Sequence, residues 1–131
     1  MAEKKTILVV DDDPDIVEAA RLVLESAGYA VESAMDGDTA LKKAGELIPD
    51  LIILDVMMGT TTQGFHVSYK LREDPKTKDI PIVMVSAIEK KTGMKFSPGA
   101  DREYLPVDDF IAKPVSPEEL LKKVKEHLEQ G

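Results

Sequence analysis

The sequence predicts an α/β fold: a doubly wound, five-stranded parallel sheet with helices on both faces. Three observations predict it. Short β-branched apolar runs alternate with segments of helical apolar spacing from one end of the chain to the other. Two of those runs are apolar almost throughout, as strands covered on both faces are. And 131 residues suffice for a single domain. A chain of that size buries about two-thirds of the surface its unfolded form exposes, and needs no metal or disulfide to fold.

Thr6 to Val10 (TILVV) reads as the first strand. Asp13 to Ala27 follows as a helix, with Ile16, Val17, Ala20, Val23, Leu24 and Ala27 at helical spacing, Pro14 in its first turn and Gly28 past its end. Tyr29 to Ala34 is a short second strand. Asp36 caps a helix that carries Ala40, Leu41, Ala44, Leu47 and Ile48 on one face. Asp50 to Leu54 (DLIIL) is the third strand, and Phe65 to Arg72 a helix with Phe65, Tyr69 and Leu71 inward. Pro81 to Val85 (PIVMV) is the fourth strand, its proline placed where no ladder donor is lost. Val107 to Ile111 is the fifth. Between Ser86 and Val107 a regular helix is not expected, because Gly93, Pro98, Gly99 and Pro106 interrupt it. The last helix opens on Ser116-Pro117-Glu118-Glu119, which supplies an N-cap, a proline at the first position and a capping-box glutamate. Leu120, Leu121, Val124 and Leu128 form its apolar stripe, and Val115 is placed to staple onto Leu120.

Composition narrows the function. The 17 basic against 25 acidic residues leave a net charge of −8, which argues against nucleic acid and anionic membranes as partners. With no cysteine, disulfides, thiolate catalysis and Cys-ligated zinc are excluded. The apolar runs are too short to span a bilayer. Lys4-Lys5 precedes a short apolar run, but Asp11-Asp12-Asp13 stops it before a signal peptide could form. The expectation is a cytoplasmic chain, 1–131, of one domain.

In open parallel sheets, ligands bind beyond the carboxyl ends of the strands. Asp11, Asp12 and Asp13 follow the first strand, Asp55 the third, Ser86 ends the fourth, and Lys113-Pro114 lie past the fifth. In the flavodoxin-like order 2-1-3-4-5, strands one and three are neighbours, which brings Asp11, Asp12 and Asp55 together. Clustered carboxylates repel, and a divalent cation offsets that repulsion. Oxygen ligation without Cys or a nearby His favours Mg²⁺, with Mn²⁺ as a substitute, over zinc. A phosphoryl group would be held by that cation, Lys113 and Ser86. The plainer readings are an N-cap for Asp13, a strand end for Asp55, a snorkelling surface lysine for Lys113 and packing for Phe110, Met57 and Met58. His66 and His127 have no ligand partners at useful spacing.

Four segments carry a resemblance: ILVVDDDP at Ile7 to Pro14, LIILDVMM at Leu51 to Met58, IPIVMVSA at Ile80 to Ala87, and DFIAKPVSPEELL at Asp109 to Leu121. With these the chain resembles the receiver domain of bacterial two-component response regulators. The resemblance implies that Asp55 is a phosphoacceptor, loaded from the phosphohistidine of a sensor histidine kinase or a histidine phosphotransfer protein. It implies Mg²⁺ ligation by Asp12, Asp55 and the Met57 backbone carbonyl, with Asp11 acting mostly through water. It assigns Lys113 and Ser86 to the phosphoryl oxygens, Ser86 and Phe110 to a conformational switch, and a cis peptide to Lys113–Pro114.

The chain departs from the family pattern at Gly59, where a proline is usual, and in a longer Ser86–Lys113 interval. The second departure puts the usual output and dimer face in doubt. Met57 and Ile88 stand at the positions that tune dephosphorylation, and neither side chain can orient a water, so a long-lived phosphoryl group is expected. Output through protein–protein contacts, with an unnamed downstream protein or a homodimer, is expected in the absence of an output domain. The alternatives are a phosphorylation-independent pseudo-receiver, an FMN carrier and an Asp-dependent phosphohydrolase. Three aspartates stand where FMN phosphate would bind, and Met57 stands where the hydrolase keeps a second acid.

Overall fold

The computed structural model describes residues 5–55, 63–86, 109–112 and 116–128, with no side-chain account of 63–66, 86, 110 and 112. Five strands form one parallel sheet in the order β2-β1-β3-β4-β5. They are β1 (Thr6–Val10), β2 (Ala30–Ala34), β3 (Leu51–Asp55), β4 (Ile82–Ser86) and β5 (Asp109–Ala112). The described helices are α1 (Pro14–Ser26), α2 (Gly37–Leu47), α3 (Gln63–Glu73) and α4 (Pro117–Leu128). Each lies within a residue or two of its sequence-based range, as expected where ends fray. The interval between Ser86 and Asp109 falls outside the described residues, as does the expected Val115 staple.

The strands are buried on both faces, so alternate residues feed two cores. Leu8, Val10, Ile52, Leu54, Ile82 and Met84 pack against Ala40 and Ala44 of α2 and Val67 and Leu71 of α3. Ile7, Val9, Leu51, Ile53, Val83, Val85 and Ile111 pack against Val17, Ala20 and Leu24 of α1 and Leu120 and Val124 of α4. Period-two alternation along each strand thus meets a helical stripe on either side.

The caps follow their sequence signals. Asp13 accepts from the Asp15 N–H at 2.9 Å and starts α1. Asp36 accepts from the Thr39 N–H at 2.7 Å and starts α2. Ser116 Oγ accepts from the Glu119 N–H at 3.0 Å and starts α4.

Four expected inward side chains point elsewhere. Ile16 is 41% exposed, Leu47 44%, Ile48 45% and Tyr69 45%. The α2 stripe closes early because Ile48 leaves the helix in the left-handed region, at φ 46° and ψ 67°. A β-branched residue there costs about 1–2 kcal/mol. In α3, Val67, Ser68 and Leu71 take the inner face instead of Tyr69. No helix among the described residues is long and apolar enough to cross a membrane.

Candidate functional site: an acidic cluster at the carboxyl ends of β1 and β3

Strand register builds the site. Val10 of β1 faces Leu54 of β3, so the next residues, Asp11 and Asp55, emerge side by side. The turn into α1 fixes the rest. Asp11 N–H donates to the Ala34 carbonyl at 3.1 Å, which ties the chain to the end of β2. Asp11 Oδ1 accepts from the Asp13 N–H at 2.9 Å, which folds the Asp11–Asp13 run into a tight turn. Asp13 is consumed as the N-cap of α1, so its carboxylate serves the helix.

One carboxylate oxygen from each of Asp11, Asp12 and Asp55 lies within 4.8 Å of the others, the arrangement found among the described residues that could hold a metal ion. Asp11 and Asp55 are almost wholly buried, at 4% and 3% exposure, while Asp12 faces solvent. Asp11 and Asp55 also line an open, mostly apolar pocket of about 590 Å³, with Val9, Ile53 and Val85 from the sheet, Ile16 and Ala20 from α1, and Leu120 from α4. At the effective dielectric typical of such sites, each ionised pair at this separation repels by roughly 3 kcal/mol. A cation placed among the acids removes that cost.

The donor set fits Mg²⁺. Three carboxylate oxygens, with neither sulfur nor imidazole, match a hard cation.

The remaining sequence-identified residues divide into two groups. Ser86 closes β4, one step beyond the Val85 that faces Asp55, and stands opposite Ala112 of β5. Phe110 lies in β5 opposite Met84. Their backbones therefore run at the same sheet edge or next to it. Lys113, Pro114, Met57 and Ile88 lie outside the described residues, as do Gly59 and Thr60 to Thr62. Sequence reasoning missed the role of Ile16: its helical spacing marked it as core, yet it borders the pocket beside the acids. Only the packing of α1 against α4 separates those two fates.

Residues 7–125 match the model of the response regulator receiver domain. The chain is 41% identical over 123 residues to the DNA-binding dual master transcriptional regulator RpaA of Synechocystis, covering 91% of this chain and 47% of that protein. It spans about half the length of such curated relatives. The chemotaxis protein CheY4 of Vibrio cholerae superposes with a TM-score of 0.81 at 33% identity, over 96% of this chain and 100% of that one. The receiver domain of a Pseudomonas aeruginosa sensor histidine kinase, described with a magnesium ion in its active-site cleft, superposes at 0.81 over 98% of this chain and all of that one. Its identity is 24%, so this likeness speaks for the fold. A family match running from the first strand into the last helix, backed by relatives of more than 30% identity, establishes that the chain belongs to the response regulator receiver domain family of two-component signalling.

Proposed function

We propose that the chain accepts a phosphoryl group on Asp55. The carrying observation is the convergence of Asp11, Asp12 and Asp55 within 4.8 Å at the carboxyl ends of two neighbouring strands. Asp55 is almost wholly buried and stands beside the solvent-exposed Asp12, which supports a nucleophile held in a fixed position at the sheet edge. Its carboxylate oxygen attacks the phosphorus of a phosphohistidine on a histidine kinase or histidine phosphotransfer protein. A P–O bond forms and the P–N bond breaks; its electron pair stays on the ring nitrogen, and the histidine, already protonated at its other ring nitrogen, leaves as neutral imidazole. Transfer of this kind rests on positioning and charge neutralisation more than on covalent help from the protein.

Asp11, Asp12, Asp55 and the Met57 carbonyl are the residues assigned to Mg²⁺, which when bound neutralises the acids and the incoming phosphoryl oxygens. Lys113 pairs with a phosphoryl oxygen, and Ser86 donates to another. Ser86 and Phe110 then act as the two-state element that reports phosphorylation to a downstream protein. Met57 and Ile88 supply no polar group for an attacking water, so the aspartyl phosphate is long-lived. Met57→Asn shortens its lifetime several-fold, read as the decay of the phosphorylated mass.

The deciding experiment is intact-mass measurement after incubation with acetyl phosphate and Mg²⁺, beside Asp55→Asn. The expected result is a gain of one phosphoryl group, absent in the variant and absent without the metal. Refusal of acetyl phosphate and of a phosphorylated histidine kinase alike would overturn the proposal in favour of a phosphorylation-independent module.

A further inference from the structure

The sheet has an open edge at β2, where a row of backbone groups faces away from β1. The register says which groups these are. Ala30 N–H donates to the Lys5 carbonyl at 2.9 Å, and the Ala34 carbonyl accepts from Asp11 N–H at 3.1 Å. Residues 30, 32 and 34 therefore turn their backbone groups toward β1. In a parallel pair the alternate residues, Val31 and Ser33, turn theirs outward.

Both outward carbonyls are occupied by cations. Arg21 of α1 donates from its guanidinium to the Val31 carbonyl at 3.2 Å. Lys43 of α2 donates from Nζ to the Ser33 carbonyl at 2.5 Å. The two helices flank opposite faces of the sheet, so the edge is gripped from both sides. Glu25, one turn further along α1, lies 3.6 Å from the Arg21 guanidinium and helps hold it in place.

We propose that Arg21 and Lys43 form a lock that denies the β2 edge to a second copy of this chain. A strand adding to that edge must draw its hydrogen bonds from the Val31 and Ser33 carbonyls, and must first displace a guanidinium and an ammonium. Each displaced cation loses a charge-assisted bond and is left beside an approaching backbone. Lysine along an edge is a known obstacle to such pairing. Other basic residues, such as Lys42 beside it on α2, add charge without holding an edge carbonyl.

The test is Arg21→Met with Lys43→Met, which keeps the aliphatic stems and removes the donors. The control is Lys42→Met with Lys125→Met, which removes the same charge elsewhere. Far-UV circular dichroism and thermal unfolding check that each folds, and sedimentation velocity reads association. The lock variant self-associates on the order of tenfold more tightly than wild type, and the control does not. Ser33→Pro, added to the lock variant, removes an outward N–H and returns association to the wild-type level. The single variants Arg21→Gln and Lys43→Gln each shift association part-way, which keeps the test open should the double variant not fold. Folded variants that associate no more than wild type would overturn the proposal. So would equal association of the control, or association that Ser33→Pro leaves untouched.

Discussion

Asp50 and Asp55 flank the same strand, five residues apart, and do opposite work. Asp50, at the amino end of β3, is exposed and accepts from the Thr6 N–H at 2.7 Å, while its own N–H donates to the Thr6 carbonyl at 2.8 Å. It closes the start of β1 and β3 against each other. Asp109, the first residue of β5, works the same way on a larger scale, accepting from Lys123 at 3.0 Å and His127 at 3.1 Å of α4. At the carboxyl end, Asp55 is buried and crowded by Asp11 and Asp12. Amino-end carboxylates are placed where backbone or cationic donors already stand. At the carboxyl end Asp11 also accepts from a backbone donor, the Asp13 N–H, but it stands against Asp12 and Asp55 as well, and strand register holds them together. On the proposed function, that crowding of like charge is what a bound cation would offset.

Substitutions sharpen this comparison. Asp55→Asn has the largest effect, abolishing phosphorylation. It also raises metal-free stability by about 1 kcal/mol or more, a few degrees in Tm, because one of three like charges is gone. Added Mg²⁺ raises the melting temperature of wild type and leaves that of Asp55→Asn nearly unmoved. A variant less stable than wild type in the absence of metal would break the contrast. Asp109→Ala moves the other way and costs about 2 kcal/mol, since it takes a mostly buried carboxylate acceptor away from Lys123 and His127. Chemical denaturation reads that loss, and phosphorylation of Asp55 survives it.

Asp50→Ala costs about 1 kcal/mol, the net worth of one hydrogen bond in an exposed setting. The smallest effect is a matter of pH. The Thr39 N–H bonded to Asp36 holds that carboxyl below its ordinary value of 3.8. A group whose folded pKa is depressed contributes stability above its unfolded pKa, and that contribution fades as pH falls through the folded value. Below about pH 4 the stability of Asp36→Asn accordingly falls less steeply with acid than that of wild type. Parallel curves would show that the cap carries no charge-dependent part.

Much of this was legible before any coordinates. Three apolar runs placed β1, β3 and β4, and Asp13, Asp36 and Ser116 placed three helix starts, because caps and β-branched runs are local signals. The acids were legible too, since parallel order alone brings the ends of β1 and β3 together. The inner faces of the helices were less so. Ile16 and Tyr69 fit an apolar stripe by spacing, yet both are over 40% exposed. Spacing marks which residues share a face, while the angle at which a helix lies on the sheet decides how far that face is covered.

The sequence by itself determined the element order, the parallel sheet and the identity of the clustered acids, because each rests on local preference and the two-residue period of a strand. Only the tertiary structure decided which acids are buried, that Ile48 turns left-handed at the end of α2, and that Arg21 and Lys43 meet the two outward carbonyls of β2. Those outcomes join residues ten or more apart or depend on what packs above them, and no local propensity carries that information.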